Sequence, residues 1–246
     1  MDKWQGKVAV VTGTTSGIGL ALATQLVDLG VVVVGLSRRT DRGVELVSRL
    51  RGRKGAFHHL TTDVGKEEDV ASAFRWIREN LGGVSILVNN AGTRRSTSLV
   101  DGDAKMWRET LDVNVVGLCL VTREAVRSMR ANGIDGHVVI VNSMAGHRVP
   151  PLLDNNIYPA SKFAVTGIAE TLRQDLNAMG SKIKVTAVSP GLVATEIFEV
   201  SKMDGYIKSL PQLQPEDVAN IIVYVLSTPL HVQIHDILVR PQGQLS

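Results

Sequence analysis

The sequence predicts a single-domain α/β fold, in which a doubly wound, seven-stranded parallel sheet has helices on both faces. Short apolar runs, rich in β-branched residues, alternate along the chain with longer segments of helical period. The runs are nearly continuous, which is typical of strands covered on both sides. The chain has 246 residues, of which 44% are apolar, so it is long enough to bury one substantial core. No linker or repeat divides 1–246.

Strands and helices are predicted in strict alternation. Six apolar runs are predicted as strands, namely KVAVVT (7–12), VVVVGL (31–36), AFHHL (56–60), SILVNN (85–90), HVVIVNS (137–143) and KVTAVS (184–189). DILVRP (236–241) is the candidate for a last edge strand. Helical patterns, several of them ending at glycine, occupy 17–29, 41–51, 67–81, 103–131, 157–179 and 215–227. We expect the part up to about residue 140 to bind a cofactor and 141–246 to hold the catalytic and substrate groups.

Composition and charge exclude several classes of protein. A formal net charge of +3, from 27 basic and 24 acidic residues, is too even to predict a nucleic-acid partner. The basic stretch RLRGRK (49–54) is interpreted as a solvated helix end. The single cysteine, Cys119, is predicted to be a small buried side chain in a reducing compartment. The sequence shows neither a secretory segment nor a membrane span, so the predicted location is the cytoplasm. Scattered histidines predict no metal site.

The segment TGTTSGIG (12–19) lies between the first strand and the first helix. Gly13, Gly17 and Gly19 allow a sharp turn and a close backbone approach to a pyrophosphate, which the amides of the following helix would bind. A glycine-rich turn without a ligand is the alternative. The position in the first βαβ unit favours a dinucleotide site.

The residues after the second strand distinguish between two cofactors. A carboxylate there would bind the ribose hydroxyl of NAD, but this chain has Ser37, Arg38 and Arg39. Arginine binds phosphate through a planar fork of donors, so NADP(H) is preferred over NAD(H), with Arg38 as the first candidate and Arg39 as its support. Solvated loop charges are the alternative. Asp63 either contacts adenine, with Val64 against the ring, or caps the next helix.

Tyr158 and Lys162 are four residues apart at a helix start and therefore share one face. Free tyrosine titrates near 10, and a lysine ammonium nearby favours its phenolate. Such a phenol can exchange a proton with an alcohol or a carbonyl. Ser143, at the end of the fifth strand, can hydrogen-bond the oxygen on which charge develops. Ser143 lacks the G-x-S-x-G elbow of a hydrolase.

These motifs, together with NNAG (89–92), NVVG (114–117), YPASK (158–162) and PG (190–191), resemble the short-chain dehydrogenase/reductase family over essentially the whole chain. The resemblance implies a Rossmann fold, with Tyr158 as acid/base and Lys162 as ribose ligand and pKa modifier. It also implies that Ser143 binds the substrate oxygen and that Asn114 holds a water that joins Lys162 to solvent. The stretches NSMAGHRVPP (142–151) and YVLSTPLHVQIHDILVRP (224–241) resemble the branch that holds an NADP-dependent ketosteroid reductase and insect farnesol dehydrogenases.

The same resemblance completes the set of cofactor residues. It implies that Asn90 contacts the cofactor and that Val193 and Thr195, after Pro190 and Gly191, bind the nicotinamide amide. The predicted cofactor residues are Gly13, Thr15, Ser16, Gly17, Ile18, Gly19, Arg38, Arg39, Asp63, Val64, Asn90, Ala91, Gly92, Tyr158, Lys162, Pro190, Gly191, Val193 and Thr195. The family also implies a homodimer or homotetramer formed through the helices at 103–131 and 157–179.

The substrate is predicted to be a medium-to-large apolar alcohol or carbonyl, because an apolar pocket cannot satisfy the hydroxyls of a sugar. Leu153 and Phe198 are the chosen substrate contacts beside Ser143 and Tyr158. Other apolar residues expected near the pocket are Val149, Leu152, Leu192, Ile197, Val200, Met203, Tyr206, Ile207 and Leu210. Packing of a lid helix is the alternative for each. The competing function is a catalytically silent NADP(H)-binding sensor or scaffold of the same fold.

Overall fold

Seven parallel strands form the predicted sheet in a computed structural model that describes residues 1–151, 155–198 and 204–244. The strands are β1 (Val8–Thr12), β2 (Val32–Ser37), β3 (Ala56–Thr61), β4 (Val84–Asn89), β5 (His137–Val141), β6 (Lys184–Pro190) and β7 (Asp236–Val239). Their spatial order is β3-β2-β1-β4-β5-β6-β7. The predicted fold class is confirmed, and the candidate edge strand at 236–241 pairs with β6.

Helices cover both faces of the sheet. They are α1 (Gly17–Asp28), α2 (Thr40–Leu50), α3 (Glu67–Asn80), α4 (Ala104–Leu111), α5 (Leu118–Ala131), α6 (Tyr158–Ala178), α7 (Asp204–Ser209) and α8 (Pro215–Ser227). Alternate residues of the central strands enter one of two buried clusters, because side chains alternate across a sheet. In β1, Ala9 and Val11 pack on the side of α1 and α8, whereas Val8 and Val10 pack on the side of α3, α5 and α6.

The single helix predicted over 103–131 is interrupted. A π-helical segment, Asp112–Gly117, separates α4 from α5. The extra residue per turn of a π-helix rotates the side chains out of the regular pattern, which hydrophobic periodicity does not reveal, and such segments are frequent at functional sites. Asn114 lies in this segment and is buried. Here a β-carbon on Gly117 would stand only 2.8 Å from the Val64 carbonyl oxygen, so the segment packs closely against the loop after β3.

The prediction that Cys119 is buried is wrong for this chain. The side chains of α5 that face the core are Leu118, Val121, Ala125 and Met129, which follow helical spacing. Cys119 lies about 100° around the helix from Leu118 and is exposed. Within the described ranges, the helices include none that has both the length and the apolar character for crossing a membrane.

The strand order brings the predicted functional segments to one edge of the sheet. The strands after β1 are added on one side of it up to β3 and on its other side from β4 onward, and a crevice forms at such a switch point beyond the carboxyl ends of the strands. The glycine loop follows β1, Arg38 follows β2 and Asp63 follows β3. Asn90 and Ser143 lie beyond the ends of β4 and β5, so residues distant in sequence share this crevice.

Candidate active site

The glycine loop has the backbone conformation that glycine permits. Gly13 and Gly17 have φ angles of +75° and +51°, in the left-handed region that other residues avoid. A β-carbon on Gly19 would lie 2.2 Å from the carbonyl oxygen of Gly13, and one on Gly17 would lie 2.9 Å from the Thr195 methyl group. Helix α1 begins at Gly17 without a side-chain cap at Ser16, so its first amides face the crevice. This cradle fits a pyrophosphate.

Asn90 fixes the glycine loop to the end of β4. Its side-chain amide donates to the carbonyl oxygen of Thr12 at 2.8 Å and to that of Gly13 at 3.3 Å. The backbone N–H groups of Asn90 and Ala91 both donate to the Thr12 hydroxyl at 2.9 Å. The sequence motif NNAG therefore stabilises the shape of the loop, in addition to lining the crevice.

Two cationic side chains, Arg38 and Arg39, follow β2. An acidic residue at this position would repel a phosphate group, and this chain has none there. Arg38 and Arg39 are both exposed at the crevice, and among the described residues Arg38 has no ion pair. Arg39 forms side-chain bonds to Thr15 and Ser16 at 3.1 and 2.5 Å. The hydroxyl of Ser37 is buried without a hydrogen-bond partner. A ligand that accepts a hydrogen bond would satisfy this hydroxyl.

Asp63 was predicted either to contact adenine or to cap the next helix. Its carboxylate accepts from the backbone N–H of Gly65 at 3.1 Å, which closes a local turn. Helix α3 begins at Glu67, and its N-cap residue is Lys66, so Asp63 is not the helix cap. Asp63 and Val64 both line the crevice. Contact with adenine stays a prediction.

Tyr158 begins α6, and its phenol lies close enough to the side chain of Ser143 for that hydroxyl to lower its pKa. Burial raises the pKa of Tyr158 from its ordinary value of 10, although the nearby Ser143 hydroxyl and the charge of Arg94 both act to lower it. The sequence predicted a phenol shifted toward neutral pH. In the free protein desolvation outweighs the effects of Ser143 and Arg94 on this pKa, so Tyr158 is neutral at pH 7.

Lys162 lies one turn further along α6 and is 6% exposed. Its ammonium lies 5.9 Å from the centre of the Tyr158 ring and donates to the carbonyl oxygen of Val141 at 3.1 Å. Burial lowers the pKa of Lys162 from 10.5 to about 8, because the charged form loses hydration. At pH 7 the ammonium therefore remains charged beside the phenol.

Asn114 acts on the site through the loop after β4. Its amide accepts from the backbone N–H of Thr93 at 2.8 Å and donates to the Thr93 carbonyl oxygen at 2.9 Å. A third bond reaches the Ser161 hydroxyl at 3.0 Å. The π-helical segment thereby holds the residues next to Arg94. The implied water between Asn114 and Lys162 stays a prediction.

One cavity of about 1030 Å³ collects nearly all predicted site residues. Gly19 and Asn114 lie outside its lining, since the first packs behind Gly13 and the second behind Thr93. The lining residues that the sequence predicted are Gly13, Thr15, Ser16, Gly17, Ile18, Arg38, Arg39, Asp63, Val64, Asn90, Ala91, Gly92, Ser143, Tyr158, Lys162, Pro190, Gly191, Val193 and Thr195.

The apolar wall differs from the predicted one. The predicted residues that line the cavity are Leu192, Ile197, Tyr206 and Leu210. Val149 is 65% exposed, and Ile207 is a buried residue of α7. Leu152, Leu153, Val200 and Met203 lie outside the described residues, as does the side chain of Phe198. Pro150 and Pro151 line the cavity too, although sequence reasoning did not select them.

His147 has a structural connection that the sequence did not suggest. Its Nε2 atom lies 3.0 Å from the Ser189 hydroxyl and 3.2 Å from the Asp236 carboxylate. Ser189 donates to the same carboxylate at 2.9 Å. These contacts tie the loop after Ser143 to β6 and β7. His147 is exposed, and these contacts give it a part in positioning the loop.

Three further residues that line the cavity were not predicted from the sequence. Arg94 is 4% exposed and follows the NNAG motif, where only its charge could have drawn attention. Glu196 pairs with two arginines near the glycine loop. Gln244 returns from the end of β7 and accepts from the backbone N–H of Leu192 at 3.3 Å. Contacts over such long sequence separations leave no local pattern.

The chemical groups of the cavity separate into two ends. The glycine cradle and Arg38 lie at one end, and Ser143, Tyr158 and Lys162 lie at the other. A survey of the described ranges finds no group of three His, Cys, Asp or Glu side chains that could hold a metal ion. A Rossmann-like fold with this pairing of a dinucleotide cradle and a phenol–lysine pair defines an oxidoreductase.

Comparison with known proteins gives the family. The profile described as short chain dehydrogenase matches residues 7–204. Farnesol dehydrogenase of Aedes aegypti is 48% identical over 246 residues, covering 99% of each chain. Dehydrogenase/reductase SDR family member 11 of Bos taurus is 42% identical over 255 residues, covering 100% of each. The chain belongs to the short-chain dehydrogenase/reductase family, and the branch suggested by its motifs is confirmed.

Solved structures agree with this assignment. An alcohol dehydrogenase from the archaeon Thermococcus sibiricus, complexed with 5-hydroxy-NADP, has a TM-score of 0.84 at 26% identity, covering 98% of each chain. A short chain dehydrogenase/reductase from Burkholderia phymatum, in complex with NAD, has a TM-score of 0.86 at 28% identity, covering 97% of this chain and 90% of that one. The neighbours thus include complexes with either type of dinucleotide.

Proposed function

We propose that this protein is an NADP(H)-dependent oxidoreductase that interconverts an alcohol and a carbonyl on an apolar substrate. The observation that carries the proposal is the single cavity that joins the glycine cradle to Ser143, Tyr158 and Lys162. A proton donor and a buried cation at one end, and a phosphate site at the other, match the needs of hydride transfer.

The residues at the end of β2 support the proposed preference for NADP(H). Arg38 is an exposed cation at the crevice, and the neighbouring Ser37 hydroxyl is buried without a partner. A 2′-phosphate would accept from both, whereas NAD(H) would offer only a ribose hydroxyl there. Arg39 is the second cation of this end, but its side chain is already held by Thr15 and Ser16.

In the reductive direction, Tyr158 donates its proton to the substrate carbonyl oxygen. When bound, the reduced dinucleotide supplies the hydride to the carbonyl carbon. The Ser143 hydroxyl, which lies near the phenol in the free protein, donates a hydrogen bond to the same substrate oxygen as negative charge develops on it. The ammonium of Lys162 stabilises the phenolate that remains, and solvent then restores the proton. Oxidation of the alcohol is the reverse, with the phenolate as base.

The proposed substrate is an isoprenoid alcohol, such as farnesol, or a ketosteroid. Leu192, Ile197 and Leu210 give the cavity an apolar side, together with Pro151. Such a wall favours a lipid-like molecule, since unpaired polar groups of a sugar would lose hydration there. The names of the two relatives in this branch agree with a substrate of this kind.

The homodimer or homotetramer of the sequence prediction is proposed here as well. Val116 and Phe163 are 47% and 44% exposed on the π-helical segment and on α6, which contact each other, and Cys119 of α5 is exposed as well. Exposed apolar side chains on neighbouring helices are typical of an interface. Light scattering on the purified protein measures the assembly, and a monomer at micromolar concentration contradicts it.

The proposed function is tested by turnover on a panel of apolar alcohols and ketones. The panel contains farnesol, farnesal, other isoprenoid alcohols and steroid ketones, each assayed with NADP(H) and with NAD(H) by absorbance. We expect turnover with NADP(H), and a loss of at least a thousandfold in kcat for Tyr158→Phe with its NADPH affinity retained. Full activity of Tyr158→Phe contradicts the proton-transfer role. Tight NADPH binding without turnover on any member of the panel supports the silent sensor instead.

A further inference from the structure

An ion-pair cluster joins the segment after β6 to the start of α2; its members Arg39 and Glu196 line the cavity, and Arg42 lines a neighbouring pocket that shares Glu196 with it. Glu196 bonds Arg39 with one carboxylate oxygen and Arg42 with the other, both at 2.6 Å. Arg39 also bonds the hydroxyls of Thr15 and Ser16 in the glycine loop. The cluster therefore connects the glycine loop, the start of α2 and the segment after β6.

The carboxylate of Glu196 is charged under all physiological conditions. The bonds from Arg39 and Arg42 lower the pKa of Glu196 to about 2. Both arginines are exposed, with 42% and 50% of their side-chain surface accessible, so an incoming ligand could reach them. Arg38, beside them, has no ion pair within the described part of the chain. The free protein thus has an internal anion among three cations.

We propose that Glu196 competes with the 2′-phosphate of NADP(H) for Arg39 and Arg42, and thereby limits the preference for this cofactor. The inference rests on the proposed function, because it assumes that this cation cluster binds the 2′-phosphate. A phosphate monoester and a carboxylate both accept from the guanidinium fork, and two anions on one guanidinium repel each other. NAD(H) has no phosphate at this position, so Glu196 does not compete with it.

Competition and a purely structural role predict opposite changes in NADPH affinity when Glu196 is removed. If Glu196 only held the arginines in place for the phosphate, its removal would weaken NADPH binding. If it occupies them as an anion, its removal strengthens NADPH binding and leaves NADH binding nearly unchanged. Substitution by glutamine keeps the shape and one acceptor oxygen while it removes the charge, so the two roles predict opposite signs.

The experiment compares Glu196→Gln with the wild-type protein by fluorescence titration at low and physiological salt. The ligands are NADPH, NADH, and the fragments 2′,5′-ADP and 5′-AMP, which differ only in the 2′-phosphate. We expect Glu196→Gln to bind NADPH and 2′,5′-ADP about tenfold more tightly at low salt, and less than that at physiological salt because the charges are screened. NADH and 5′-AMP should change less than twofold.

A matched control removes a similar charge elsewhere. Asp28 pairs with Arg53 at 2.8 Å on the surface, and neither residue lines the cavity. Asp28→Asn should leave all four affinities within twofold of wild type. An equal gain in Asp28→Asn would mean that net charge alone acts, which overturns the inference.

The remaining outcomes also decide between the hypotheses. Weaker or unchanged NADPH binding by a folded Glu196→Gln overturns the competition and leaves the proposed function intact. A wild-type protein that binds neither NADPH nor NADH overturns the proposed function itself. Thermal unfolding of Glu196→Gln without ligand verifies that the variant is folded.

Discussion

Replacing Lys162 by methionine should stabilise the free protein at neutral pH while it abolishes turnover. Lys162 is buried, and its ammonium has one described hydrogen bond, to the carbonyl oxygen of Val141. Methionine has a similar length and helix propensity and is apolar, so it removes the cost of burying a charge. Functional sites often contain such residues, which are retained for chemistry at the expense of stability.

The magnitude follows from the pKa of Lys162. A pKa of 10.5 in the unfolded chain and about 8 in the folded protein corresponds to a burial cost of about 3 kcal/mol at pH 7, where both states hold the proton. Loss of the bond to Val141 leaves a buried carbonyl oxygen unpaired, which costs about 1–3 kcal/mol. The variant should therefore gain roughly 0–2 kcal/mol in its free energy of unfolding at pH 7.

The pH dependence gives the sharper prediction. Above pH 8 the folded wild type loses the proton of Lys162, whereas the unfolded chain keeps it up to about pH 10.5. The wild type therefore gains stability in this window and the variant does not. Between pH 7 and pH 9.5 the stability of Lys162→Met relative to wild type should fall by about 2 kcal/mol.

The assay is urea unfolding of wild type and variant at pH 7 and pH 9.5 without cofactor, with stability taken from linear extrapolation. Lys105→Met is the control, because Lys105 is exposed on α4 and its removal should change the stability difference little between the two pH values. A difference between Lys162→Met and wild type that stays constant across this range would refute the reasoning. So would a variant that becomes relatively more stable as the pH rises.

Two further predictions concern the loops of the site. Gly19→Ala should weaken NADPH binding at least tenfold in a fluorescence titration, because its methyl group would lie 2.2 Å from a backbone oxygen of the loop. Gly167→Ala, which has open space on α6, should leave binding unchanged. Arg94→Met should raise the pKa of Tyr158 in the pH profile of kcat/KM, since it removes a cation that lowers this pKa, and Arg94→Lys should restore it in part. Arg95→Met is the matched control, and an equal effect there would contradict a specific role for Arg94.

Much of the fold was predictable because its causes are local. The strands β1, β2 and β4 are apolar runs buried on both faces, and this burial is visible in the sequence as continuous hydrophobicity. The interruption of the helix at Asp112–Gly117 was not predictable, because a π-helical segment changes the hydrogen-bond register without changing the composition.

The phenol–lysine pair was predictable for a similar reason. Tyr158 and Lys162 are one helical turn apart, so their proximity follows from helix geometry alone. The raised pKa of Tyr158 was not predictable, because it depends on burial by segments that are remote along the chain. The contact of Glu196 with Arg39 joins residues 157 positions apart, and sequence spacing contains no trace of it.

The amino-acid sequence by itself determined the alternation of strands and helices, the glycine loop and the phenol–lysine pair, since each depends on neighbours within a few residues. Only the tertiary structure decided which charges meet, how deeply each one is buried and which residues share the cavity. The physical reason is that solvation and Coulomb interactions depend on distance in space, and the sheet order alone brings the ends of the strands together.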